Sequence, residues 1–144
     1  MSRQTDGTTG RLLEREVLGT CFATAEGYLP WNEAVRTVLH SKKPPLKTPF
    51  VARLERAVSA EVGRHVGVHS AVGSALDHYH GCDALVVDGF AVVTLDLTMN
   101  PNKGEGDGKA NVIIRREDLA DVPVLAGMIA RQLRAQNLKL SGRV

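Results

Sequence analysis

The segment HYHGCDALVVDGFAVVTLDLTMN, His78 to Asn100, limits the fold more than any other part of the chain. Two β-rich runs, ALVV and FAVVTLDLT, flank Asp88-Gly89, the two-residue signal of a type I′ hairpin. Both faces of these runs are apolar apart from a few positions. A hairpin covered on both sides belongs to a sheet sandwiched by helices rather than to a one-sided meander. The expected class is therefore α/β, with a central mixed β-sheet flanked by helices.

The flanking sequence supplies those helices. Arg11 to Ala25 reads as a first helix and Trp31 to His40 as a second, before Ser41-Lys42-Lys43-Pro44-Pro45 breaks the chain. Thr48 is a natural N-cap ahead of Pro49, opening a third helix that runs to about Gly63. On it Phe50, Leu54, Ala57 and Val58 share one face, and Glu61 projects onto the same stripe. A carboxylate there is costly unless something positive meets it. Glu61 is thus either a site residue or a helix-end residue that reaches water or pairs with an arginine. His65 to Ser70 reads as a short strand, Ala110 to Arg115 as another, and Pro123 to Gln136 as the last helix. Leu138 to Leu140 could add a final strand. The polar residues 1–10 read as a flexible tail and residues 11–144 as a single domain, of ordinary size for its length.

Two aspartates interrupt the hairpin. With Asp88-Gly89 as the turn, Val87 pairs with Phe90, Asp83 sits opposite Thr94, and Asp96 is its diagonal neighbour on the same face, about 7–8 Å away at the backbone. Thr98 lies one step further on that face. Aspartate is disfavoured inside strands and expensive beside Val and Leu. Either the pair reaches water and backbone donors near the strand ends, or it holds a hard divalent ion. Mg²⁺ (or Mn²⁺) is commonly bound by one or two carboxylates plus water and phosphate oxygens.

The pattern resembles the PD-(D/E)xK nucleases, a superfamily that includes restriction endonucleases. Gly81-Cys82-Asp83 resembles the first half of their motif, and Asp96-Leu97-Thr98 stands in the place of the second. The resemblance covers residues 48–140 as a restriction-endonuclease-like core and leaves the helical extension 11–47 unexplained; two extra helices there would serve as a homodimer surface or a lid. It implies a metal-dependent endonuclease acting on DNA phosphodiesters, with Asp83 and Asp96 as metal ligands, helped by Glu61. Thr98 occupies the position of the family's catalytic lysine. A lysine from elsewhere would have to supply that charge, and Lys109, at the start of a strand, is a firmer platform than Lys103 in the Gly-rich loop. The loop before Ala110 is short for a crossover between parallel strands, so either a helix has been reduced there or Ala110 to Arg115 extends the meander.

Charge distribution is compatible with that reading. From Arg36 to Arg64 seven basic residues face only Glu55 and Glu61, whereas His78 to Gly108 carries five acids against Lys103. Lys42, Lys43, Lys47 and Lys103 are the candidate DNA contacts, gripping the backbone without reading sequence. Two other classes compete. Loss of the lysine suits a non-catalytic DNA- or protein-binding module that keeps the fold. His78 and His80, with Cys82 and Asp83, resemble the HxHxDH run of zinc-dependent hydrolases, although the final histidine is absent. No Walker loop, GxGxxG, GxSxG or HExxH occurs. With no apolar run long enough to cross a bilayer, no signal-like start and two scattered cysteines, the expected setting is cytoplasmic, without a membrane partner.

Overall fold

The computed structural model describes residues 12–41, 47–98 and 110–142. In chain order the elements are α1 (residues 12–18), α2 (Trp31–His40), α3 (Pro49–Val62), β1 (Gly67–Ser70), α4 (Ala75–His80), β2 (Ala84–Asp88), β3 (Ala91–Thr98), β4 (Val112–Arg115), a 3-10 segment (Arg116–Ala120) and α5 (Val122–Leu140). The fold is α/β, built on a four-stranded mixed sheet in the order β1-β2-β3-β4. β1, β2 and β3 are successively antiparallel, and β4 runs parallel to β3. Ala110 to Arg115 is therefore not a further arm of the meander. The chain between Thr98 and Val112 makes a crossover, and its residues 99–109, with Lys103 and Lys109, lie outside the described residues.

Alternation along the strands divides the core in two. Ala91, Val93, Leu95 and Leu97 of β3 point toward Phe50, Leu54 and Val58 of α3 and Leu125, Ile129 and Leu133 of α5. On the opposite face, Leu85, Val87 and Val92 meet Ala34 and Val38 of α2 and Ala75 and Leu76 of α4. Helices thus cover both faces, as the two-sided apolar character of the hairpin requires. No described helix is long and apolar enough to cross a membrane.

Local chemistry sets the helix ends. The Thr48 hydroxyl accepts from the Val51 N–H at 3.2 Å, and Gly63, at φ 86°, closes α3 in the left-handed conformation that glycine takes without strain. The first helix stops at residue 18, not at Ala25. Gly19 adopts φ 75°, after which Cys21 and Ala25 donate backbone hydrogen bonds to Val72 and Gly73 at 2.9 and 3.1 Å. Leu138 to Leu140 forms no strand but continues α5.

The hairpin differs from expectation by one residue. Asp88 pairs with Ala91, so Gly89 and Phe90 form the turn. Positive φ falls on Gly89 alone, the pattern of a type II′ rather than a type I′ turn. Asp88 is drawn into the strand by its partners: it takes a two-pronged contact from the Arg64 guanidinium, with Nε at 2.8 Å, and a 3.0 Å hydrogen bond from Asn137 Nδ2. Phe90 is left at the tip, 94% exposed.

Asp88 ties the hairpin tip to α5 and to the loop after α3, and Arg64 and Asn137 hold its carboxyl below the usual range. Asp88→Ala should destabilise the chain by about 2 kcal/mol at neutral pH, the worth of a hydrogen-bonded charge. Because the folded pKa is depressed, the difference from wild type should be full above the unfolded value of about 3.9. It should fade as pH falls through the lowered folded value. Urea unfolding of both proteins across that window measures it.

Candidate functional site

The one-residue shift of the turn moves each cross-strand partner by two positions, so every side chain keeps its face. Val92, Thr94 and Asp96 all point toward the α2/α4 side, away from the face that Val93, Leu95 and Leu97 share. Asp83 lies just before β2. One step past the Ala84–Leu95 pair it falls directly opposite Asp96 rather than diagonal to it. Its backbone is held on both sides: Asp83 N–H donates to Leu95 O, and Asp83 O accepts from Ala71 N–H, each at 2.8 Å.

The two carboxyls meet, and they are not alone. The Asp77, Glu14 and Asp96 carboxyls all act on Asp83. One carboxylate oxygen each from Glu14, Asp77 and Asp83 lies within 4.8 Å of the others. Asp83 and Asp96 are buried, at 2% and 6% exposure, whereas Glu14 and Asp77 line an open cleft of about 370 Å³ together with Arg15 and His78. Burial, the Asp77 contact and the Glu14 charge drive the Asp83 carboxyl far above the usual carboxylate range, against the opposing 2.8 Å hydrogen bond from the Leu97 N–H to its Oδ2. The Asp83 carboxyl therefore keeps its proton in the metal-free chain, unless a cation takes the proton's place.

The donor set fits a hard divalent ion. All the ligand atoms are carboxylate oxygens, and lying within 4.8 Å of one another they are close enough to share a cation whose bonds are roughly 2.0–2.6 Å. Asp83 would be the shared inner ligand, and Glu14 and Asp77 would hold the ion from the cleft side.

Glu14 and Asp77 are the residues that sequence reasoning missed. Glu14 lies on α1, where Leu13, Val17 and Leu18 anchor the helix to the core. Asp77 lies on α4, a six-residue helix for which a signal existed. Ser74 is the N-cap of Ser-Ala-Leu-Asp, its hydroxyl accepting from Asp77 N–H, while Asp77 Oδ2 accepts from Gly73 N–H at 2.9 Å, a near relative of the capping box.

Other expected site residues fall elsewhere. Glu61 is exposed in the last turn of α3, where its carbonyl accepts from Arg134 at 3.0 Å. The Lys47 ammonium is ion-paired with Glu55, and Glu55 also accepts from the Val68 N–H at 2.8 Å. Lys42, Lys43, Lys103 and Lys109 lie outside the described residues. His78 and His80 are not brought to one point, because they sit on a helix where positions two apart diverge. His80 Nε2 is bonded to Leu29 O at 2.7 Å beside Trp31, and His78 is exposed. Burial and the Asp83 charge push the Cys82 thiol up to about 12, and its Sγ donates to Ala84 O. Thr98, two residues along from Asp96, pairs with Arg115 across the parallel β3–β4 ladder, so a cationic residue neighbours the position at which the sequence resemblance would expect a lysine.

Comparison with family models, with curated proteins and with solved structures found no match.

Because the folded pKa of Asp83 is raised, metal-free stability should fall as pH climbs from the unfolded value of about 3.9 toward the folded one. Asp83→Asn keeps an acceptor for Leu97 N–H and should flatten that fall, raising the metal-free melting temperature at neutral pH. Mg²⁺ or Mn²⁺ should stabilise the wild type, by about 2.7 kcal/mol at a hundred times its Kd, and leave Asp83→Asn unmoved. Thermal melts with and without the ion decide it.

Proposed function

We propose that the acidic cluster is a divalent-metal site for phosphodiester hydrolysis, of the PD-(D/E)xK nuclease type, with DNA as the substrate. The observation that carries the reading is the convergence of Glu14, Asp77 and Asp83 oxygens beside the Asp83–Asp96 contact, at the mouth of a cleft. The frame around the cluster is a mixed sheet of three antiparallel strands and a parallel fourth between helical layers, with α4 inserted between β1 and β2 and α5 following β4. Fold alone does not specify chemistry; the carboxylates are what argue for it.

A bound Mg²⁺ would supply Lewis-acid polarisation of the scissile phosphate and a more acidic water. The chain's own part is to hold the ion, exclude bulk water and place cations around the phosphate. Buried Asp83 and Asp96 form the floor, in surroundings that strengthen their hold on a cation. Glu14 and Asp77 face the cleft by which a phosphate would enter. Arg15 at the rim can meet the phosphate charge. Arg115, beside Thr98, and Lys109 are the two candidates for the role of the family's lysine, stabilising charge that develops in the transition state.

The absence of lysine at position 98 favours a second reading, a module that binds nucleic acid at this face without cutting it. Incubation with supercoiled plasmid and Mg²⁺ or Mn²⁺ separates the two. Metal-dependent nicking is expected, with losses on the order of 100-fold in Asp96→Asn and Asp83→Asn and a comparable loss in either Arg115→Ala or Lys109→Ala. Nicking that survives both aspartate substitutions would end the nuclease proposal. Plasmid retarded without cleavage would establish the binding module instead.

A further inference from the structure

The sheet face that carries Asp96 also carries a groove that the acidic site does not use. β4 pairs only with the second half of β3, from Leu95 to Thr98, so the first half has no strand neighbour on that side. Two side-chain amides take the place of one. Gln136 Oε1 accepts from Val92 N–H at 2.9 Å, and Asn111 Oδ1 accepts from Thr94 N–H at 3.0 Å and from the Thr94 hydroxyl at 3.2 Å. Since a backbone N–H can face only the carbonyl end of an amide, both NH₂ groups are left over as donors.

Between this edge and α2 lies an open groove of about 860 Å³. Trp31 and Phe90 supply aromatic surface to it, Arg36 and His40 supply cationic or proton-donating groups, and Asn111 and Gln136 lie at the strand edge. No carboxylate is among the described residues that line it. Arg36 is exposed on α2 and makes no hydrogen bond or ion pair among the described residues. Phe90 stands almost wholly in solvent at the hairpin tip, its ring open to a ligand in the groove.

We infer that this groove binds single-stranded DNA. Its elements are those that hold an unpaired strand: aromatic faces for bases to stack on, cations for the phosphates, and amide donors for base carbonyls or phosphate oxygens. A duplex keeps its bases stacked internally and would leave Trp31 and Phe90 without a use. Thr94 lines the groove, and Asp96 follows two residues later on the same face, roughly 7 Å along the strand. A strand lying in the groove therefore starts next to the acidic cluster. The inference deepens the nuclease reading and rests on it: the substrate is DNA with an unpaired segment.

Trp31 is the chain's one tryptophan, so its fluorescence reports on this groove alone. The full chain, held in EDTA to prevent cleavage, is titrated with oligothymidylate and excited where tyrosine does not absorb. Saturable quenching that weakens with added salt is expected. Phe90→Ala and Arg36→Glu should each reduce affinity roughly ten-fold, the scale of one lost stacking contact. Both side chains are exposed, so circular dichroism should show the variants folded. Arg131→Glu, on the exposed side of α5, should bind as wild type.

Absence of quenching, affinity unchanged in both groove variants, or tighter binding of a matched duplex or of oligouridylate would each overturn the inference. The two proposals fail separately. Quenching with no metal-dependent nicking removes the nuclease and keeps the groove, whereas nicking at wild-type rate by Arg36→Glu and Phe90→Ala removes the groove and keeps the nuclease.

Discussion

The pairing of β2 with β3 is the constraint on which the rest of the structure depends. It is set at the tip, where Gly89 takes the positive φ and Asp88 is held by Arg64 and Asn137. Changing the length of that turn by one residue would send every side chain of one strand to the opposite face. Leu95 and Leu97 would then leave the α3/α5 core, and Asp96 would be driven into it. Moving a two-residue turn along by one position does no such damage, which is why the aspartates share a face in either register.

Against that frame of apolar packing, the acidic cluster stands out as an electrostatic expense. Asp83 is nearly sealed from solvent and lies among three other acids, with one backbone N–H to offset its charge. Leu85, two positions on, shows how an apolar residue fills the same face. Buried groups with strongly shifted ionisation cluster at functional sites, and a divalent cation held there would offset the mutual repulsion of the carboxylates. The same burial that opposes charge in the metal-free chain would strengthen its grip on an ion.

The site draws on parts of the chain that are far apart in sequence. α1 brings Glu14, α4 brings Asp77, and the hairpin brings Asp83 and Asp96. α1 is fastened by Thr48, whose hydroxyl donates to Val17 O at 2.6 Å, and by Ser70, whose hydroxyl donates to Gly19 O at 2.7 Å. The N-terminal residues thus complete the cluster, a role that a core confined to residues 48–140 leaves out. On the far half of β3, amides from α5 and from the entry to β4 close the open edge. They leave a polar groove where a further strand would otherwise pair.

By itself the sequence determined the layered architecture. Two apolar faces on one hairpin demand helices on both sides, and the Thr48-Pro49 start and Gly63 stop of α3 are local signals that the structure follows. It also determined that Asp83 and Asp96 share a face, because strand alternation is a local rule. Only the tertiary structure decided which other acids join them. Glu14 and Asp77 carry no sequence spacing that relates them to Asp83, and their approach depends on how α1 and α4 pack at the end of the sheet. Glu61, which helical periodicity places on the apolar stripe of α3, is exposed in that helix's last turn and is not among the acids the packing brings together.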